Sequence, residues 1–156
     1  MKYNNAFAGE DFHEYVEYLE TVRDKFPNTL FDFVSDSQRH NLEEKSLHDS
    51  WVDEIKVNES RERDAAKRWQ TEVHITIVLL GPYHDRNFEL KFKNVRYYEF
   101  GMRSKSHTDL ITYEIYPENL HDEDYLVFNA EFADDSMILI KAENIEITEI
   151  LFEPKA

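Results

Sequence analysis

Residues 47–57 read Leu47-His48-Asp49-Ser50-Trp51-Val52-Asp53-Glu54-Ile55-Lys56-Val57, and the spacing of apolar residues changes across them. Upstream, Phe12, Tyr15, Val16, Leu19 and Phe26 recur at intervals of three, four and seven. That spacing puts one apolar stripe on a helix. Downstream, apolar residues alternate with polar ones, as on a strand with one buried face. The period change predicts an α+β fold, with N-terminal helices packed on a mainly antiparallel meander sheet.

The upstream pattern predicts a helix over 10–26. Glu10, Asp11 and Glu14 crowd its start, where the helix dipole favours negative charge. Pro27 stops it. A shorter helix follows, capped by Asn28 or Thr29, with Leu30, Phe31 and Val34 inward. Residues 35–46 form a polar connection with room for a helical turn.

Trp51, Ile55 and Val57 define a first strand, in which Asp53 interrupts the inward face. Residues 58–70 are densely charged and read as an exposed hairpin tip or a short surface helix. Val73, Ile75, Ile77 and Leu79 mark the next strand, which Gly81-Pro82 ends. Phe88, Leu90 and Phe92 follow, with Val95 out of phase, so a bulge is expected at Lys93-Asn94. Residues 96–103 continue that strand or pair separately. A strand over 109–116 closes at Pro117, and another covers 125–133. Short links at 134–135 and 143–144 then separate Met137–Ala142 from a last strand at Asn144. Such short links favour antiparallel hairpins and leave no room for crossover helices. Six or seven strands result. No repeat or linker divides the chain, so 1–156 is expected to be one domain, with a helical segment (1–46) and a β-rich segment (47–156) sharing a core.

The 156 residues include no cysteine, which excludes disulfides, thiolate chemistry and cysteine-based zinc sites. No apolar run reaches the roughly 20 residues of a membrane span. The first residues lack the apolar stretch of a signal peptide, so a cytoplasmic location is expected. The net charge of -15 is unevenly spread: -7 over residues 1–58, +3 over 59–105 and -11 over 106–156. Such a field repels nucleic acid and anionic membrane and attracts basic partners.

Chemistry-bearing motifs are scarce. No phosphate-binding loop, dinucleotide fingerprint, H-E-x-x-H or G-x-S-x-G occurs. No catalytic residue and no cofactor are assigned. Three His-Asp pairs occur, His48-Asp49, His84-Asp85 and His121-Asp122. An aspartate can orient an imidazole for metal binding or proton transfer. His48, Asp49, His84 and His121 therefore form the alternative metal or catalytic set. Adjacent residues rarely chelate one ion, so such a site would have to gather distant segments. Glu118–Asp124 resembles a cation loop only in composition; it lacks the ligand spacing and glycine of a calcium hand. Arg86, Lys91, Lys93, Arg96, Arg103 and Lys105, interleaved with Tyr97, Tyr98 and Phe100, are the nearest thing to a nucleic-acid surface. The alternation at Phe88, Leu90 and Phe92 assigns those aromatics to the core, and the total charge opposes such binding. Trp51, Tyr83, Tyr97, Tyr98, Tyr113 and Tyr116 are candidate interface anchors.

The stretch 47–57 resembles a "leucine, His-Asp-Ser, then Ile" pattern of several small bacterial families. These continue with segments like Val73–Leu80 and Phe88-Glu89-Leu90-Lys91-Phe92-Lys93-Asn94-Val95. The resemblance covers about residues 47–95 and is interrupted by the charged insertion at 58–70. Some of these families are assigned as immunity proteins of polymorphic toxin systems. The resemblance implies a non-enzymatic antidote and transfers no catalytic residue. In that setting His48 and Asp49 are structural, forming a turn at the start of the strand. The expected function is an acidic protein-binding domain that occludes a basic toxin, with Asp122, Glu123, Asp124, Asp134 and Asp135 as partner-binding residues. The alternatives are a metal-dependent module or enzyme built on the His-Asp pairs, and a small-ligand-binding domain.

Overall fold

The computed structural model describes residues 1–3, 10–103 and 107–153, with only the backbone of Glu10 and Asp11. The acidic crowding assigned to those two side chains therefore lies outside the described residues, as does Lys105. The fold is α+β. Helix α1 spans Glu10–Thr21 and α2 spans Asn28–Ser35. Strands follow at β1 Trp51–Arg63, β2 Trp69–Leu80, β3 Arg86–Gly101, β4 Leu110–Leu120, β5 Glu123–Phe132 and β6 Met137–Leu151. They form one six-stranded sheet in the order β1-β2-β3-β6-β5-β4, with every pair antiparallel. It consists of two three-stranded meanders joined where β3 pairs with β6.

Phe12, Tyr15 and Leu19 point α1 into the core, with Val16 partly buried beside them. The helix is shorter than its apolar spacing predicts. It ends at Thr21, and Val22 leaves the helical region at φ -121°. Two β-branched residues in succession weaken the last turn. A single 3-10 turn, Arg23–Lys25, then brings Phe26 back against Phe31, at 6.1 Å between ring centres. Helix α2 begins after Pro27 without a side-chain cap, so neither Asn28 nor Thr29 plays that part.

The first hairpin is longer than expected. Residues 58–70 are no helix: β1 runs to Arg63 and β2 starts at Trp69. Only Ile75–Leu80 of β2 pairs with β3, so the outer part of the hairpin is a two-stranded ribbon. Asp53 interrupts the inward pattern because the β1 register shifts between Val52 and Glu54. It is the extra residue of a bulge.

Two further boundaries and one bulge position differ from the sequence reading. The chain does not turn at 143–144; β6 is continuous, which removes the seventh strand. Residues 96–101 continue β3. Its register shift falls between Val95 and Tyr97, just beyond Asn94, which has a positive φ of 52°. Phe88, Leu90 and Phe92 are buried on β3, then Val95; on β6, Ile138, Ile140 and Ala142 are buried, then Ile145. Phe92 pairs with Ile145 and Val95 with Ala142, so both strands change parity at one level of the ladder. Residues on both sides of this step join one core, where Phe92 and Phe128 lie 5.4 Å apart. Finally, Pro117 does not close β4, which continues to Leu120. β4 is an edge strand, where a residue without an N–H costs no ladder bond.

Candidate protein-binding surface

Segment 47–51 lies where the two edges of the sheet approach each other. Asp49 N–H donates to Leu110 C=O at 2.8 Å, and Leu110 N–H donates to Ser50 C=O at 3.0 Å. The start of β1 is thus tied to the start of β4, the far edge of the sheet. His48 is buried, and its Nδ1 lies 2.8 Å from Ile111 C=O, which makes Nδ1 the protonated nitrogen. Trp51 Nε1 donates to Asp109 at 2.6 Å, and its ring stacks on His107 at 4.9 Å. This segment acts as a latch, made of two backbone bonds and the side-chain bonds of His48 and Trp51.

The three His-Asp pairs share a backbone property that composition does not show. Asp49, His84, His121 and Asp122 all have positive φ, between 54° and 63°. Histidine, aspartate and asparagine are enriched in this region among residues other than glycine. This chain has only three glycines, and no described glycine has positive φ. His121-Asp122 occupies both central positions of the two-residue β4–β5 turn, the arrangement of a type I′ hairpin. His84 sits in the β2–β3 turn, where its N–H donates to Gly81 C=O at 2.9 Å. Local turn geometry accounts for the recurrence of the pairs.

As a metal set these residues do not converge. His48 Nε2 and Asp49 lie 3.4 Å apart, and His84 packs on Trp51 at the same end of the sheet. His121 follows the far end of the eleven-residue β4, about 30 Å away by strand rise. Among the described residues no group of three or more His, Asp or Glu is placed to hold a metal ion. Leu42, His48, Asp49, Pro82 and Tyr83 line a shallow pocket of about 350 Å³.

The five acidic residues expected to meet a partner also divide. Asp122, Glu123 and Asp124 stand at one end of β5, and Asp134 and Asp135 at the other. Ten residues of strand separate them by about 30 Å. Asp134 is engaged in its own turn, accepting from Ser136 N–H at 3.0 Å. Asp135 is a left-handed turn residue, with φ 62°. Asp124 accepts from Asn119 at 2.8 Å and pairs with Lys25 at 3.2 Å. Hydrogen bonding to Asn119, then to Lys25, holds its carboxyl below the usual range. Glu123 accepts from the Tyr125 hydroxyl, and Arg96 lies 3.9 Å from its carboxylate.

Beside this first group lies a groove of about 380 Å³ lined by Arg96, Tyr97, Leu120, Tyr125, Leu139 and Lys141. Its residues come from β3, β4, β5 and β6, on the face turned away from Ile138, Ile140 and Ala142. Tyr97 is 47% exposed and Leu120 45% exposed. Glu118 pairs with Lys141 at 3.0 Å, and Glu143 pairs with Arg96 at 2.8 Å. The result is an apolar floor with a charged rim, as in many protein-binding patches. Of the candidate aromatic anchors, Tyr97 belongs to it. Tyr113 and Tyr116 are buried, Trp51 serves the latch, and Tyr83 and Tyr98 are exposed outside the groove. Sequence reasoning missed Leu120, Tyr125, Leu139 and Lys141 as groove residues; the signal was Leu139, an apolar residue in the outward phase of β6.

The basic residues of β3 are each paired with carboxylates. Lys91 meets Glu89 at 2.8 Å, Lys93 meets Glu146 at 2.6 Å, and Arg86 is buried against Asp85 and Glu149. No helix among the described residues is long and apolar enough to cross a membrane. No model of a known protein family matches the chain, and neither does any curated protein.

Proposed function

We propose that this chain is a non-enzymatic protein-binding domain that uses the groove at Tyr97, Leu120 and Tyr125, with Asp122, Glu123 and Asp124 as its acidic flank. The observation that carries this reading is the juxtaposition of the half-exposed Tyr97 and Leu120 with three acidic turn residues. An aromatic anchor supplies contact area at low entropy cost, and the flanking charge selects a basic partner and speeds encounter. An immunity-type antidote that occludes a basic toxin fits this chemistry and the resemblance at residues 47–95. Asp134 and Asp135, at the other end of β5, are no part of this surface.

The test is a paired affinity capture from lysate, at low and high salt, with the natural chain and the Tyr97→Ala/Leu120→Ala variant as baits. One basic protein held by the natural chain, released by salt and lost from the variant, supports the reading. In kinetics with that protein, Asp122→Lys/Glu123→Lys slows association and Asp134→Lys/Asp135→Lys leaves it unchanged. Equal capture by both baits overturns the assignment of the groove.

A further inference from the structure

The two edges of this sheet are treated differently. β4 is bonded at Leu110 by segment 49–50, at Ile111 by His48 and at Ile115 by the Tyr15 hydroxyl. β1 is exposed at Asp53, Glu54 and from Lys56 to Arg63. An open strand of this length is a template for pairing. Val57 lies at its middle, an apolar side chain 44% exposed among charged neighbours.

We propose that the β1 edge pairs antiparallel with the β1 edge of a second copy of this chain, about a two-fold axis at Val57. In an antiparallel ladder such an axis passes between a residue and its own copy, which restricts the register. An axis at Lys56 sets Lys56 against itself. At Asn58 it sets Glu54 opposite Glu62, and at Glu59 it sets Glu59 against itself. The axis at Val57 brings no like charges opposite each other. It places Asp53 opposite Arg61 of the second copy, twice by symmetry, and Trp51 opposite Arg63 of the second copy. It also overlaps all thirteen residues of β1. The bulge at Asp53 limits the regular ladder to Glu54–Ser60, with an Asp-Arg pair closing each end. Like charges opposite one another destabilise a strand pair, which disfavours the axes at Lys56, Asn58 and Glu59. Axes at Ile55 and Ser60 also avoid them but overlap fewer residues of β1, so charge and overlap together select Val57.

The chain has no cysteine, so an introduced one reports its position without interference. Val57→Cys stands opposite itself at the axis, whereas Lys67→Cys, in the ribbon turn, does not. Under mild oxidation Val57→Cys is expected to cross-link at least about tenfold faster than Lys67→Cys, because pairing raises the local thiol concentration. Sedimentation of the natural chain is expected to show a concentration-dependent dimer. Asp53→Arg and Arg61→Asp each shift it toward monomer, and the two together restore it. A monomer at every concentration, with Val57→Cys and Lys67→Cys cross-linking alike, overturns the proposal. A dimer without preference for Val57→Cys also overturns it. The groove lies on other strands, so Tyr97→Ala leaves this dimer unchanged and the two proposals fail separately.

Discussion

The Tyr15 hydroxyl serves both polar groups of one residue on the opposite side of the core: it donates to Ile115 C=O at 2.6 Å and accepts from Ile115 N–H at 2.8 Å. Ile115 lies on β4, an edge strand, so α1 satisfies an edge that would otherwise be open. Burial pushes the Tyr15 hydroxyl well up, which keeps it neutral and able to donate. Tyr15→Phe keeps the ring and leaves two buried backbone groups unpaired. A loss of about 2–3 kcal/mol is expected. Urea denaturation should show a lower midpoint with an unchanged slope.

His40 predicts a pH effect. It is buried, stacked on Tyr113 at 4.4 Å, with Nε2 2.8 Å from Val34 C=O. Burial lowers its pKa to about 4, against smaller upward effects of the Val34 carbonyl and Asp36. The unfolded chain takes up this proton near pH 6.5 and the folded chain only near 4. Stability from this group is therefore complete above pH 6.5 and is lost as pH falls toward 4. Between pH 7 and 4.5 the loss is about 2–3 kcal/mol. In His40→Gln the difference in unfolding free energy between those two pH values should shrink by that amount.

The parts of this fold written in side-chain period were legible in the sequence; those set by backbone geometry were not. Phe88, Leu90 and Phe92, and likewise Ile75, Ile77 and Leu79, announced buried strands and are buried. The parity change from Ala142 to Ile145 looked like a turn because a strand that keeps one face inward cannot produce it. Only its match at Phe92 and Val95 on the paired strand shows it to be a step across both. Pro117 looked like a stop because nothing local marks β4 as an edge. Nothing in the alternation of 109–116 marks Glu114 as interior, yet it is fully buried and accepts from Lys2 N–H at 2.7 Å and Tyr3 N–H at 2.6 Å. That contact spans more than a hundred residues, beyond the reach of local pattern. The acidic turns were legible as turns, but their division between the two ends of β5 follows from strand direction.

The β4–β5 turn separates turn chemistry from site chemistry. With His121 at φ 54° and Asp122 at φ 63°, both positions favour asparagine and glycine. His121→Asn with Asp122→Gly should stabilise the chain by about 0.5–1 kcal/mol. At this size that raises the melting temperature by about 1–4 °C. A functional imidazole at His121 would show separately, as lost ion or ligand binding in the same variant.

The carboxylate of Glu149 joins the two halves of the molecule through two arginines. Arg86 Nη1 donates to its Oε1 at 2.5 Å, and Arg39 Nη1 donates to its Oε2 at 2.8 Å. Arg86 is buried and also forks onto Asp85, while Arg39 lies over the Phe33 ring at 4.6 Å. The polar connection after α2 is thereby fastened to the ends of β3 and β6. Burial alone would raise the Glu149 pKa, but the hydrogen bonds and charges of Arg39 and Arg86 outweigh it and hold the carboxyl below its usual value. A carboxyl depressed in the folded state stabilises the chain above the unfolded pKa, and that contribution is lost as pH falls through the folded one. Its acid window therefore begins near the ordinary glutamate value of about 4.3 and extends below it. Glu149→Gln removes the charge but keeps the shape, leaving the Arg86 guanidinium short of one partner in a buried setting. A loss of about 3 kcal/mol at pH 7 is expected, and the gap between the natural and variant chains should shrink only as pH falls below the ordinary glutamate value and through the depressed folded one. Glu146→Gln on the same strand is the control: its partner Lys93 is exposed at 2.6 Å, and such a pair contributes less than about 1 kcal/mol.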